Sequence, residues 1–136
     1  MAVRNLFAKP QLQARRLWVV LGWSLVLLVV YLSLAPAPIE LDIEQGDKFS
    51  HVLAYLGLMS WFANLYENFL QRVGFALGFV LLGIGLEFVQ GLIGYRSFEV
   101  ADMGANAVGV ALGWFLATPR TSNYLGLAER FWRTHS

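Results

Sequence analysis

The fold class is decided by an uncharged apolar run near the start of the chain, LWVVLGWSLVLLVVYLSL, at Leu17–Leu34. At a rise of about 1.5 Å per residue, a helix of this length approaches the ~30 Å thickness of a hydrocarbon core. A cleaved signal peptide is the alternative, because small residues follow the run. The apolar core of a signal peptide is typically only about 7–15 residues long, however. We therefore interpret the run as a membrane span.

Three more apolar segments follow, so the chain is predicted to have four spans, at about residues 17–35, 49–66, 73–95 and 100–118. The hydrophobic fraction is 57% and the charged fraction 14%, whereas a soluble domain is about one quarter charged. In lipid only helices and closed barrels satisfy every backbone group, and these segments lack the alternation of barrel strands. The sequence predicts an all-α polytopic membrane protein, a four-helix bundle in which residues 1–136 form one domain.

The C-terminal tail, Tyr124–Trp132, places its apolar residues on one side and Glu129, Arg130 and Arg133 elsewhere. This pattern predicts a short amphipathic helix that lies against the headgroup region. A frayed soluble tail is the alternative.

The composition also excludes several functions. The formal net charge of +1 gives no reason to expect a nucleic-acid partner. The absence of cysteine excludes disulfides, thiolate metal sites and cysteine nucleophiles. No G-x-S-x-G elbow, H-E-x-x-H pair or phosphate-binding glycine loop is present. The sequence therefore predicts no cofactor, and one intramembrane histidine is too small a set to predict a metal.

The distribution of lysine and arginine predicts the orientation. The N-terminal segment, the turn at Glu67–Arg72 and the C-terminal tail hold eight of these residues, and the other side holds two, Lys48 and Arg96. Both termini are therefore predicted to be cytoplasmic. We expect the acidic loop Ile39–Lys48 and the Arg96 turn to face outward.

With this topology the polar residues of three spans fall in the outer half of the membrane. A charge at the centre of a bilayer costs about 2.5–3.5 kcal/mol even on insertion scales, so such groups normally face a partner or a cavity. We predict one outward-facing pocket, with a rim that includes Lys48 and Arg96. Its predicted binding residues are Asp47, Lys48, His51, Tyr55, Glu87, Gln90, Arg96, Asp102 and Asn106. A satisfied structural network, in which Asp102 caps its own helix, is the alternative.

Helical spacing places these side chains on common faces. Asp102, Asn106, Gly109 and Gly113 step by four, three and four residues along the fourth span. Gly109 and Gly113 form a pair of small residues that lets two helix backbones approach closely, and the pair Gly74–Gly78 on the third span has the same spacing.

The pattern of these residues resembles the VanZ-like family of small bacterial membrane proteins. The resemblance covers about Asp47 to Gly113 and rests on D-K-x-x-H-x-x-x-Y from Asp47, E-x-x-Q from Glu87, Arg96, and D-x-x-x-N-x-x-G-x-x-x-G from Asp102. It implies a membrane domain in a bacterial inner membrane and a link to low-level resistance to the glycopeptide teicoplanin, or to envelope stress. It implies no reaction.

Three functions are compatible with these residues. In the first, the pocket binds the headgroup of an amphiphile, such as a lipid, a cell-wall precursor or a glycopeptide. In the second, His51, Glu87 and Asp102 are catalytic residues of an enzyme that acts on a lipid-linked substrate. In the third, the protein is a structural or assembly factor whose polar network only specifies helix packing.

The predicted topology can be tested with a reporter fused after Ser136. Because the arginine and lysine bias puts both termini in the cytoplasm, a reporter that is active only in the cytoplasm should be active there. An extracytoplasmic signal at this position would contradict the four-span topology.

Overall fold

The computed structural model describes residues 12–36, 46–94, 98–117 and 124–136. The described chain is all-α, as predicted, and contains five helices. They are α1 (Arg15–Leu34), α2 (Gly46–Leu65), α3 (Phe69–Ile93), α4 (Val100–Leu116) and α5 (Tyr124–His135). The acidic loop and the Arg96 turn lie largely outside the described residues, but Asp47 and Lys48 belong to the first turn of α2.

Helices α2 and α4 run in the same direction, and α1 and α3 run in the opposite one. His51 and Asn106, near the starts of α2 and α4, are hydrogen-bonded at 2.8 Å. Gln90 in the last turn of α3 donates to the carbonyl of Ser33 in the last turn of α1, at 2.7 Å. The starts of α2 and α4 and the ends of α1 and α3 therefore lie at one end of the bundle. We call it the acidic end, and the opposite end the basic end.

The closest helix contact is between α2 and α4. A Cβ atom on Gly109 would lie 2.5 Å from the carbonyl oxygen of Val52, and one on Gly113 would lie 2.6 Å from that of Leu56. These distances are shorter than any real Cβ contact, and the opposing atoms are backbone, which cannot move aside cheaply. The close approach predicted for the Gly109–Gly113 pair is confirmed, and its partner is α2.

The second glycine pair behaves differently. No described atom outside the local helix would lie within 4 Å of a Cβ on Gly74 or Gly78, and both glycines are exposed. Helix α3 instead turns Phe79, Gly83 and Leu86 toward the bundle. The prediction that Gly74–Gly78 is a packing contact is thus wrong within the described chain, because the inward face of α3 is set by its larger apolar residues.

Helix α2 is the centre of the core. Most of its second half is buried, and it packs against α1, α3 and α4. The ring of Phe62 has 0% exposure and contacts the rings of Trp23 and Phe79, each at a centroid distance of 5.3 Å. This position explains why α2 has the least apolar sequence of the four predicted spans. A helix surrounded by other helices can carry Ser60 and Asn64, which are both buried.

Helices α1 and α3 are long and apolar enough to cross a membrane, judged by length and composition, whereas α4 is apolar but has 17 residues. Their outer surfaces carry many exposed apolar side chains. On α1 these include Val20, Leu27 and Tyr31, and on α3 they include Leu70 and Leu92.

Two arginines close helix C-termini at the basic end. The guanidinium of Arg72 donates to the carbonyl of Ala117 at 2.8 Å, just after the end of α4. Arg15 donates to the carbonyl of Leu65, the last residue of α2, and lies over the ring of Tyr66 at 5.0 Å. A cation at a helix C-terminus satisfies unpaired carbonyls and interacts favourably with the negative end of the helix dipole.

The turn predicted at Glu67–Arg72 is shorter in the structure. The side-chain oxygen of Asn68 accepts hydrogen bonds from the backbone nitrogens of Leu70 at 2.9 Å and Gln71 at 3.4 Å. Asn68 is therefore an N-cap, and α3 begins at Phe69, four residues before the predicted span.

The C-terminal helix α5 is joined to α1 by Glu129. The carboxylate of Glu129 accepts hydrogen bonds from the backbone nitrogens of Gln13 and Ala14 and from the indole of Trp18, at 2.7–3.0 Å. Burial by itself raises the pKa of Glu129, but these hydrogen bonds hold the pKa below its ordinary value. The expected helix is present, yet Glu129 faces the protein and Phe131 is exposed.

The α2–α4 contact can be tested with Gly109→Ala. The added methyl group meets the backbone of α2, so we expect a loss of about 1–3 kcal/mol in the free energy of unfolding. The matched control is Gly74→Ala, which adds the same group where no neighbour lies within 4 Å. The control should leave stability unchanged or raise it, because alanine favours helices. Equal thermal stability of the two variants in detergent would contradict the packing.

Candidate functional site

The site begins with two pairs of side chains on the parallel helices α2 and α4. Asp47 and His51 are one turn apart on α2, and Asp102 and Asn106 are one turn apart on α4. The glycine contact below them sets the register of the two helices, so His51 lies beside Asn106. The Nδ1 atom of His51 is 2.8 Å from the Oδ1 atom of Asn106.

The other ring nitrogen of His51 faces two carboxylates. Its Nε2 atom is 3.8 Å from Oδ1 of Asp47 and 3.8 Å from Oδ2 of Asp102. These distances exceed the normal range of a hydrogen bond. The Asp102 side chain is 5% exposed and that of His51 is 12% exposed, whereas that of Asp47 is 62% exposed. The cluster is therefore buried on one side and open at Asp47.

The hydrogen bond to Asn106 determines the tautomer of His51. An amide oxygen can only accept, so Nδ1 must carry the proton and donate. In the neutral imidazole, Nε2 then has a lone pair directed toward the carboxylates. The arrangement leaves Nε2 available for a proton or for another electrophile.

Asp102 does not use its side chain in the way expected of a helix cap. Its Oδ1 atom is buried and accepts no hydrogen bond from the described residues. The ammonium of Lys48 is 4.0 Å away, an ion pair without a hydrogen bond. The structural alternative in which Asp102 caps α4 is therefore not supported at this atom.

Lys48 and Glu99 form the exposed rim of the cluster. The Nζ atom of Lys48 is 3.2 Å from Oε2 of Glu99, and the two side chains are 39% and 45% exposed. An exposed pair of this kind is screened by solvent and contributes little to stability. The rim pair is thus easily opened.

Helix α3 contributes Glu87 from the opposite side. Glu87 is 1% exposed, and its Oε2 atom accepts a hydrogen bond of 3.4 Å from the backbone nitrogen of Glu99. Asp102, His51 and Asp47 all lie close enough to interact with it electrostatically. Four carboxyl groups therefore share this region with the ammonium of Lys48 among the described residues.

The remaining predicted site residues have different surroundings. Tyr55 is buried, and its Cβ packs against Gly109. The amide nitrogen of Gln90 donates to Ser33 and so joins α3 to α1. Arg96 lies outside the described residues.

Two residues that shape the cluster, Gly83 and Glu99, were not predicted from the sequence. A Cβ on Gly83 would lie 2.7 Å from Nδ2 and 3.0 Å from Cβ of Asn106. The absent side chain therefore makes the space that the amide occupies. A signal was present, since Gly83 is four residues before Glu87 and hence on the same face of α3.

Comparisons with known proteins give one informative similarity. The chain is 32% identical over 102 residues to an uncharacterized protein of the fission yeast Schizosaccharomyces pombe. The aligned region covers 71% of this chain and 61% of the yeast protein, so it spans less than two thirds of that relative. No protein-family model matches the chain. No solved structure matches it either.

The role of Gly83 can be tested with Gly83→Ala. The methyl group should displace the Asn106 side chain and lengthen its hydrogen bond to His51. We expect the ring ¹H and ¹⁵N resonances of His51 to shift, because the Nδ1 proton loses its acceptor. Gly85→Ala is the matched control, since a Cβ there would have no neighbour within 4 Å in the described part of the chain. Unchanged His51 resonances in Gly83→Ala would contradict this account.

Proposed function

We propose that this chain is an integral membrane protein in which α1–α4 cross a bilayer and the acidic end binds the polar headgroup of an amphiphile. The observation that carries the proposal is a buried polar cluster at one end of a helix bundle whose outer surface is apolar.

The membrane part of the proposal is supported by the distribution of side chains. Large apolar residues on the outer faces of α1, α3 and α4 are exposed, with Leu92 at 86% and Phe115 at 69%. The buried residues meanwhile include charged and amide side chains, among them Arg72, Glu87 and Asp102. A soluble protein rarely exposes contiguous apolar surface of this extent. In lipid the same distribution is favourable, because these charged and amide side chains face inward and the apolar ones face the acyl chains.

The proposed orientation follows from the two ends of the bundle. Arg15, Arg72 and the C-terminal helix α5 lie at the basic end, so the positive-inside rule places that end in the cytoplasm. Both termini are then cytoplasmic, and the cluster around His51 faces the opposite compartment.

Headgroup binding is supported by the chemistry of the acidic end. Buried Glu87 and Asn106 offer an acceptor and an amide within reach of the exposed pair Lys48 and Glu99. A small number of fixed polar groups is typical of sites that orient a ligand. A lipid whose acyl chains contact α3 or α4 would present its headgroup at this depth.

The finer assignments rest on the sequence resemblance alone. Membership of the VanZ-like family, a bacterial inner membrane and a role in teicoplanin resistance remain proposals. The yeast relative is eukaryotic, so it lends no support to the bacterial location.

One observation favours an enzyme as the second candidate. His51 is held in one tautomer by Asn106 and has a carboxylate of Asp102 beside its other nitrogen. A fixed imidazole next to a buried carboxyl group is suited to general acid–base catalysis. A lipid-linked substrate bound by its headgroup would place its reactive atoms near this ring.

Headgroup binding can be tested by native mass spectrometry of the protein in mild detergent, with Glu87→Gln as the variant. We expect a lipid of defined headgroup to be retained by the wild type, and its retention to fall about tenfold or more in the variant, a loss of about 1.4 kcal/mol. Glu129→Gln is the matched control, because Glu129 is also a buried glutamate but lies at the basic end.

Equal lipid retention by the wild type and Glu87→Gln would contradict headgroup binding at this site. If Glu87→Gln is also neutral or stabilising on thermal unfolding, the cluster serves packing alone, because removing a buried charge lowers a desolvation penalty.

A further inference from the structure

We infer that Asp47, His51 and Asp102 form a binding site for one divalent transition-metal ion of the Zn²⁺ or Mn²⁺ class. The potential ligand atoms of these three residues all lie within 4.8 Å of one another. The inference stands on this geometry and does not require that the site bind a headgroup.

The spacing of the ligand atoms suits a shared ion. Zn²⁺ binds imidazole nitrogen and carboxylate oxygen at about 2.0–2.2 Å, so two of its ligands lie at most about 4.4 Å apart. The Nε2 atom of His51 is 3.8 Å from an oxygen of Asp47 and 3.8 Å from an oxygen of Asp102. Only small rotations are needed, and the exposed Asp47 side chain can make them.

The orientation of His51 has the form expected for a metal ligand. A metal-bound histidine almost always donates its other ring N–H to an oxygen acceptor, which fixes the ring and its tautomer. Here Nδ1 donates to Asn106 at 2.8 Å. The Asn106 amide is itself held in the space left by Gly83. The Nε2 atom then carries the free lone pair of the ring and is 3.8 Å from an oxygen of each carboxylate.

The second observation is the Oδ1 atom of Asp102, which is 4.0 Å from the ammonium of Lys48 but accepts no hydrogen bond within the described part of the chain. The residue is only 4% exposed. Leaving such an oxygen unsatisfied costs free energy. A cation bound by this carboxylate would compensate that cost.

The ligand types select the class of metal. Imidazole favours Zn²⁺ and related transition ions, whereas an all-oxygen site would favour Mg²⁺ or Ca²⁺. Three protein ligands leave at least one coordination position for water or for an oxygen of a bound molecule, as in catalytic rather than structural zinc sites. The sequence predicted no metal because it offers one intramembrane histidine. The parallel packing of α2 and α4 adds the two carboxylates.

An imidazolium ion is the competing explanation of the same geometry. A protonated His51 would carry a hydrogen on Nε2 and could interact with both carboxylates without a metal. In one explanation the lone pair of Nε2 binds a metal ion between Asp47 and Asp102, and in the other Nε2 carries a proton there. This difference can be measured.

The experiment is a titration of the full chain in lipid-free mild detergent with Zn²⁺ and, separately, Mn²⁺, after removal of metals by a chelator. We expect one ion per chain, with binding of Mg²⁺ at least about tenfold weaker. Asp102→Asn should abolish binding, and Asp47→Asn should weaken it at least about tenfold. Asp47→Asn changes an exposed side chain, so it tests the site even if Asp102→Asn fails to fold. An Asn106→Leu variant should weaken binding about 10- to 100-fold, as expected for loss of an outer-shell partner.

His135→Gln is the control, because His135 is an exposed histidine on α5, at the opposite end of the bundle. This change should leave the affinity and the stoichiometry unaltered. No binding by the wild type, or binding that survives Asp47→Asn and Asp102→Asn, would overturn the site. So would a proton on Nε2 of His51, seen by ¹⁵N NMR, in the presence of saturating metal. Because no lipid is present, the result is independent of headgroup retention.

Discussion

The contact on which the rest of the structure depends is the backbone approach of α2 and α4 at Gly109 and Gly113. Each glycine lies against a carbonyl of α2, so a shift in register would bring a side chain against that backbone and cause a steric clash. The helices run in parallel, so a residue one turn higher on α4 meets a residue one turn higher on α2. Asn106 therefore meets His51, and Asp102 lies near Asp47. The site therefore continues the α2–α4 glycine contact toward the starts of the two helices.

The two ends of the bundle carry opposite charges, and at each end the charges interact favourably with the helix dipoles. The starts of α2 and α4 lie together at the acidic end, where the positive ends of their dipoles favour Asp47 and Asp102 in the first turns. Their C-termini lie at the basic end, where Arg15 and Arg72 bind the last carbonyls. Parallel packing thus concentrates anions at one end and cations at the other. The same separation produces the charge bias from which the orientation was predicted.

The sequence predicted the helical class and the glycine contact because both depend on local composition and on spacing along one helix. Gln90 was predicted to face the cluster, since it is three residues from Glu87, yet its amide bonds to Ser33. Gly74–Gly78 has the same spacing as Gly109–Gly113, but no atom of another described helix would lie within 4 Å of a Cβ at either glycine. The difference lies in which face of α3 turns inward, and this depends on contacts with other helices. Glu129 likewise binds the start of α1, more than a hundred residues away.

The position of Asp102 affects both the stability of the fold, because its charge is buried, and the candidate site, because its oxygens lie beside His51. A carboxylate in the first turn of α4 is stabilised by the helix dipole at a distance, without a hydrogen bond to its oxygens. The dipole therefore helps to offset the burial of the charge while Oδ1 keeps its lone pairs unused within the described chain. If the side chain capped the helix directly, those lone pairs would accept hydrogen bonds from backbone amides. Because the helix dipole stabilises it, the carboxylate can be buried in the bundle and can still bind a ligand beside His51.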